Sequence, residues 1–145
     1  MAATYRLGPF RKLINAAATP LIHLGLAPRG SHLLTTVGRR TGQRRTNPVY
    51  LVDDGGHQYL VAPYGVRPWV LNARAAGTVV LSRGRKSTTY VITELPPAEA
   101  APILKRYVEQ VPVTRPFFDT TKDSPPAAFE DEAGAHPVFR LTPAP

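Results

Sequence analysis

The four residues Asp53-Asp54-Gly55-Gly56 limit what this chain can fold into more than any other stretch. They stand between two runs of β-type residues, Arg45 to Val52 and Gln58 to Ala62. Glycine adopts the left-handed backbone that a tight hairpin needs, and aspartate is at home in the rest of the turn. Strands joined this closely must pair antiparallel, because a parallel pair requires a crossover of about a dozen residues or more. A doubly wound parallel sheet is therefore set aside.

The same punctuation extends outward. Leu33 to Val37 reads as a strand ended by Gly38, and residues 38–43 as a loop of glycine and arginine. Pro68 can open a helix running to about Ala76. Thr78 to Ser82 and Ser87 to Glu94 are strands on either side of Arg83-Gly84-Arg85. Over 97–111 the apolar residues Ala100, Ile103, Leu104, Tyr107, Val108 and Val111 keep helical spacing. Residues 112–116 break that helix, Pro125-Pro126-Ala127 start a short one through Glu132, and Pro137 to Leu141 closes the chain as a strand. Ten of the 16 prolines follow Leu95, so this last third consists of short elements and rigid connections. With 145 residues and 43% hydrophobic content, the expectation is a single domain over 1–145. Its fold class is mainly β with flanking helices (α+β), a small closed or half-closed barrel with helices packed outside.

Ahead of the strands, Phe10, Leu13, Ile14 and Ala17 share a helix face after Pro9, and Leu21 to Leu26 add an apolar turn, giving a helical segment over about 9–26. Basic residues followed by apolar ones loosely imitate a signal peptide. Thr19, Pro20 and His23 dilute the apolar part, and no small-x-small cleavage site follows. Arg11 and Lys12 allow two placements for the first helix: packed on the barrel, or lying on an anionic membrane surface with the weak affinity of one short helix.

Charge gives the first functional direction. Eighteen basic against 10 acidic residues leave a net charge of +8. Residues 1–52 hold eight basic residues and no acidic one, while the rest of the chain balances. An anionic partner belongs at that end: a phosphorylated cofactor, a lipid surface or nucleic acid. The nucleic-acid reading lacks an aromatic stacking ladder or a recognisable motif and is set aside. Cysteine is absent, which excludes disulfides, thiolate metal sites and cysteine nucleophiles, and fits a cytoplasmic setting. His23, His32, His57 and His136 show no metal-ligand spacing, so no metal site is assigned and each histidine reads as structural or exposed. No GxSxG elbow occurs. Glu130-Asp131-Glu132 reads as a solvated helix face. An enzyme built from this kit needs a cofactor for its chemistry.

Two segments can bind one. In GRRTGQRRTNP, Gly38 to Pro48, two glycines let the backbone approach a ligand, four arginines fall within residues 39–45, and Thr41, Thr46 and Asn47 add polar groups. The plainer alternative is a solvated hairpin loop. The segment is no Walker loop, since the GK[ST] ending is missing. In VAPYGVRPWVLN, Val61 to Asn72, a strand end, a loop and a helix start form an edge where ligands commonly sit. Trp69 and Asn72 share one helix face there. The alternative is a core tryptophan and an asparagine that caps or ties a loop.

In order along the chain, LLTTVGRRTGQRRTNPVYLVDDGGHQYLVAPYG, PWVLNARAAG and a strand pair resemble the deazaflavin-dependent nitroreductase family of actinobacteria. The resemblance is specific over Leu33 to Glu94 and looser beyond. It implies a split β-barrel of the FMN-binding type, a homodimer, and the cofactor F420, a deazaflavin with a phosphate and an oligoglutamate tail. By resemblance, Arg39, Arg40, Thr41 and Gly42 meet the tail and Arg45 the phosphate. Asn47, Pro48 and Tyr50 approach the ring or ribityl chain, Ala62, Pro63, Tyr64 and Gly65 line the deazaflavin, and Trp69 and Asn72 lie on the adjoining helix. The implied activity is hydride transfer from reduced F420 to a small acceptor: a quinone, an enone or a nitro compound. FMN is the alternative cofactor, and a non-catalytic F420 or fatty-acid carrier is the alternative function.

The chain departs from the family in the acceptor region. Nitroimidazole-reducing members carry several tyrosines after the helix corresponding to 97–111, where this chain has Val111, Thr114 and Phe117. Tyr107 is the nearby phenol and the candidate proton donor. With Tyr107 these three residues define an apolar acceptor pocket suited to a flat substrate. Pro63-Tyr64 replaces a frequent serine-lysine pair, which removes one positive cofactor contact.

Overall fold

The computed structural model describes residues 30–145. The helical segment expected over 9–26 lies outside them. Six strands, β1 (Ser31–Val37), β2 (Arg44–Asp54), β3 (His57–Val61), β4 (Thr78–Arg83), β5 (Lys86–Glu94) and β6 (Val138–Pro143), form a closed barrel in the order β1-β2-β3-β6-β5-β4. Every neighbouring pair is antiparallel. Two helices, α1 (Pro68–Ala76) and α2 (Pro97–Gln110), and two 3-10 segments, Pro112–Phe117 and Pro126–Phe129, complete the described chain. Among the described residues no helix is long and apolar enough to cross a membrane.

The hairpin forms where its chemistry requires, but it is tighter than the four-residue reading. Asp53 pairs with Gln58 and Asp54 with His57, so both aspartates belong to β2. Gly55 and Gly56 alone make the turn, with φ of 58° and 80°. A two-residue turn left-handed at both positions matches the twist of the strands it joins.

Strand alternation then sorts the apolar residues onto two faces. Leu34, Leu51, Leu60, Leu81, Phe139 and Leu141 fill the barrel, with Val70 and Ala73 of α1 closing one end. The opposite faces of the same strands, at Val52, Val61 and Val138, carry α2 through Ile103, Leu104, Tyr107 and Val108. Phe129 completes this outer layer and is fully buried. Both faces of β3 and β6 are thus covered, which is why their apolar runs are nearly continuous.

The last short helix ends earlier than expected. The 3-10 segment stops at Phe129, and turns follow. Glu132 does not lie on a solvated face: it is 6% exposed. Its carboxylate accepts the backbone N–H of Asp119 at 2.8 Å and of Thr120 at 3.1 Å, which offsets the cost of burying the charge.

One irregularity opens the barrel wall. The first half of β2 pairs with β1 from Arg44 to Tyr50, but β3 joins β2 only from Leu51 to Asp54. Residues 44–50 therefore form an edge, and Pro48, which has no N–H to give, is tolerated there. The candidate site lies against this edge.

Candidate functional site

A cavity of about 950 Å³ is bounded by the free half of β2, the 38–43 loop, the start of α1 and the end of α2 with the 3-10 segment after it. Its two sides differ in chemistry. Arg39, Arg40, Arg44 and Arg45 line one side with Thr41 and Asn47, and Arg67 joins them from the start of α1. Among the described residues no aspartate or glutamate lines the cavity. A lining of this sign attracts anions. The other side is built from Tyr50, Tyr64, Tyr107, Val111 and Thr114.

The arginine loop is held by its own backbone. The Gly38 N–H donates to Gln43 O at 2.7 Å, and the Gly42 N–H donates to Gly38 O at 2.8 Å. A Cβ on Gly38 would come within 2.6 Å of Thr41 Oγ1, so a larger residue there would have to displace that hydroxyl. Thr41 Oγ1 accepts the Gln43 N–H at 3.2 Å. The loop is then tied to α1. Asn72, 4% exposed, accepts with one oxygen from the Arg39 N–H at 3.2 Å and from Arg39 Nη1 at 2.9 Å. This fixes the base of Arg39. Replacing Asn72 with alanine removes the shared acceptor, and thermal unfolding should register a loss of about 1–3 kcal/mol. Unchanged stability, with the Arg39 amide still protected from exchange, would show that the loop stands without this tie.

The aromatic side is partly buried. Tyr107 is 3% exposed, and its ring meets Tyr50 edge-on at 6.5 Å. Burial pushes the Tyr107 phenol well above the usual tyrosine range; the nearby Tyr64 and Tyr50 add to this, while a hydrogen bond with Thr114 opposes it. The phenol is protonated at every physiological pH and can act only as a neutral donor or acceptor. Tyr64 stands edge-on to Phe117 with ring centres 5.0 Å apart.

Of the expected site residues, Arg39, Arg40, Thr41, Arg45, Asn47, Pro48, Tyr50, Pro63, Tyr64, Trp69 and Asn72 line this one cavity, as do Tyr107, Val111 and Thr114. Both readings of the second segment hold together. Trp69 packs on Phe139 at 6.2 Å and also faces the cavity, and Asn72 ties a loop at the cavity's edge. Gly42, Ala62, Gly65 and Phe117 do not line it. Ala62 is 1% exposed and faces the barrel interior, and Phe117 supports Tyr64 from behind. Arg44, Arg67 and Val61 also line the cavity; the two segments contain them, but sequence reasoning singles none of them out as a site residue. Arg44 belongs to the arginine run, and alternation about the inward Leu60 would have turned Val61 outward.

The chain is similar to proteins of known structure. A solved F420-H2 dependent reductase, FDR-A, is 26% identical over 79% of this chain and 95% of its own, with a TM-score of 0.54. A second solved structure, described as a domain-swapped dimer, is 23% identical over 93% of this chain and all of its own, with a TM-score of 0.58. A FAD-binding protein from Mesorhizobium loti is 14% identical over 90% of this chain and 89% of its own, with a TM-score of 0.51. The last two bear on the fold alone, a split β-barrel. Residues 19–122, well over half the chain, match the family model of F420H(2)-dependent quinone reductase. The chain therefore belongs to the F420H(2)-dependent quinone reductase family and is an F420-dependent oxidoreductase.

Proposed function

We propose that this cavity holds F420 and a flat acceptor together, the acceptor being a quinone or enone in preference to a nitro compound. The observation that carries this reading is the division of one cavity into an arginine side without carboxylates and an aromatic side with a protonated phenol. The donor set suits the cofactor. A phosphate and several carboxylates match Arg40, Arg44 and Arg45, whose planar forks take such anions in charge-assisted pairs. A flat ring matches Tyr50, Tyr64 and Trp69, with Asn47 able to donate or accept at the ring's edge. Gly42, Ala62 and Gly65 act on the site through backbone shape. Reduced F420, when bound, supplies a hydride.

The chain's own residues then orient and enclose. The arginines anchor the anionic end and fix the depth of the ring. Tyr64, Val111 and Thr114 keep water from the reacting face. Tyr107 holds a proton beside the acceptor's developing oxyanion and stabilises it by hydrogen bonding. A homodimer is part of this reading, and residues 1–145 are taken as one domain.

The test is a side-by-side titration with oxidised F420 and FMN, followed by quinone reduction with the reduced cofactor. F420 should bind far more tightly than FMN. Tyr107→Phe should lower kcat roughly tenfold or more. The wild-type rate should show no limb from phenol ionisation below pH 9, because the phenol's pKa is raised. Absence of F420 binding, with fatty-acid binding in its place, would overturn the enzyme reading in favour of a carrier.

A further inference from the structure

His136 and Glu132 form a buried pair behind the cavity and outside its lining. Their side chains are each 6% exposed, with His136 Nε2 3.3 Å from Glu132 Oε2. His136 Nδ1 lies 3.2 Å from Ala62 O, and the ring also faces the carbonyls of Pro63 and Phe117. It stacks on Phe118 with centres 4.0 Å apart. The far oxygen of Glu132 accepts the N–H groups of Asp119 and Thr120. One imidazole thus touches the segment that carries Pro63 and Tyr64. Through its own contacts and those of Glu132 it also reaches the segment that follows Thr114 and Phe117.

We infer that His136 and Glu132 are positioning residues that lock these two walls of the cavity at one separation, and so set the fit of the flat acceptor. The inference rests on the cavity being the acceptor site. It goes beyond that reading because neither side chain lines the cavity. A buried pair with polar contacts on both walls is rigid, since loosening either wall strands a polar group in the interior.

Three variants separate the two walls. His136→Phe keeps a ring against Phe118 but loses both polar contacts. His136→Asn puts an amide near the Nδ1 position, toward Ala62. His136→Gln puts one near Nε2, toward Glu132. In the cofactor-free protein, His136→Phe should speed amide exchange about tenfold or more at Gly65 and at both Asp119 and Thr120, with β4 and β5 unaffected. His136→Asn should protect Gly65 alone, and His136→Gln the other two alone. For quinone reduction, His136→Phe should raise the acceptor KM about tenfold and weaken F420 clearly less than that, because the Pro63–Tyr64 wall also faces the cofactor ring while the arginines hold its anionic end. Should His136→Phe fail to fold, the opposed patterns of the other two variants decide the matter. Unchanged exchange at either wall, or a parallel loss of F420 affinity and acceptor KM, would overturn the inference. If the wild type binds no F420, the proposed function fails and the exchange pattern still judges the pair.

Discussion

Replacing Arg45 with alanine is expected to weaken F420 binding roughly ten- to a hundredfold, the value of one charge-assisted pair with an anion. FMN binding should fall much less if Arg45 meets groups that FMN lacks. Arg45 is exposed, and among the described residues its side chain makes one hydrogen bond, from Nη2 to the Gln43 side-chain oxygen at 3.3 Å, so its removal should leave the fold intact. Raising the salt concentration should narrow the gap between variant and wild type, because the lost interaction is screened in the solvated mouth of the cavity. Equal losses for the two cofactors would leave Arg45 at the phosphate, a group that FMN shares, with no contact to the tail.

The largest effect on stability is expected from Phe129→Ala. Phe129 is wholly buried between α2 and the outer face of the barrel. Deleting its ring should cost about 3–5 kcal/mol, a transfer loss plus an unfilled cavity. Domains of this kind have about 5–15 kcal/mol in total, so urea unfolding should move to much lower concentration. A cost below about 1 kcal/mol would mean that the 3-10 segment Pro126–Phe129 collapses onto α2 and refills the space.

What could be read from residues alone follows the range of the interactions involved. The turn at Gly55-Gly56 and the starts of both helices at Pro68 and Pro97 are local, and the helix expected over 68–76 has those bounds in the structure. The cavity was legible because its arginines lie in one run and its aromatic residues follow short motifs. Burial of Glu132 was not legible. It depends on two amides 12 and 13 residues away, whose placement is set by the packing of α2 and the 3-10 segments. For Asn72 the loop tie was among the readings, but its partner Arg39, 33 residues distant, was not. Ala62 was assigned to the lining because the motif surrounds it, but alternation along β3 turns it to the barrel interior beside Leu60.

β6 sits between β3 and β5, with Leu60 opposite Phe139 and Ile92 opposite Leu141. A chain synthesised from its N-terminus has made every other strand before this one. Until Val138–Pro143 emerges, β3 and β5 both keep unsatisfied edges, and the barrel cannot close. These pairings join residues far apart in sequence, so closing the barrel carries a high loop-closure cost. A chain without its last strand exposes both edges, where pairing with a second copy competes with closure.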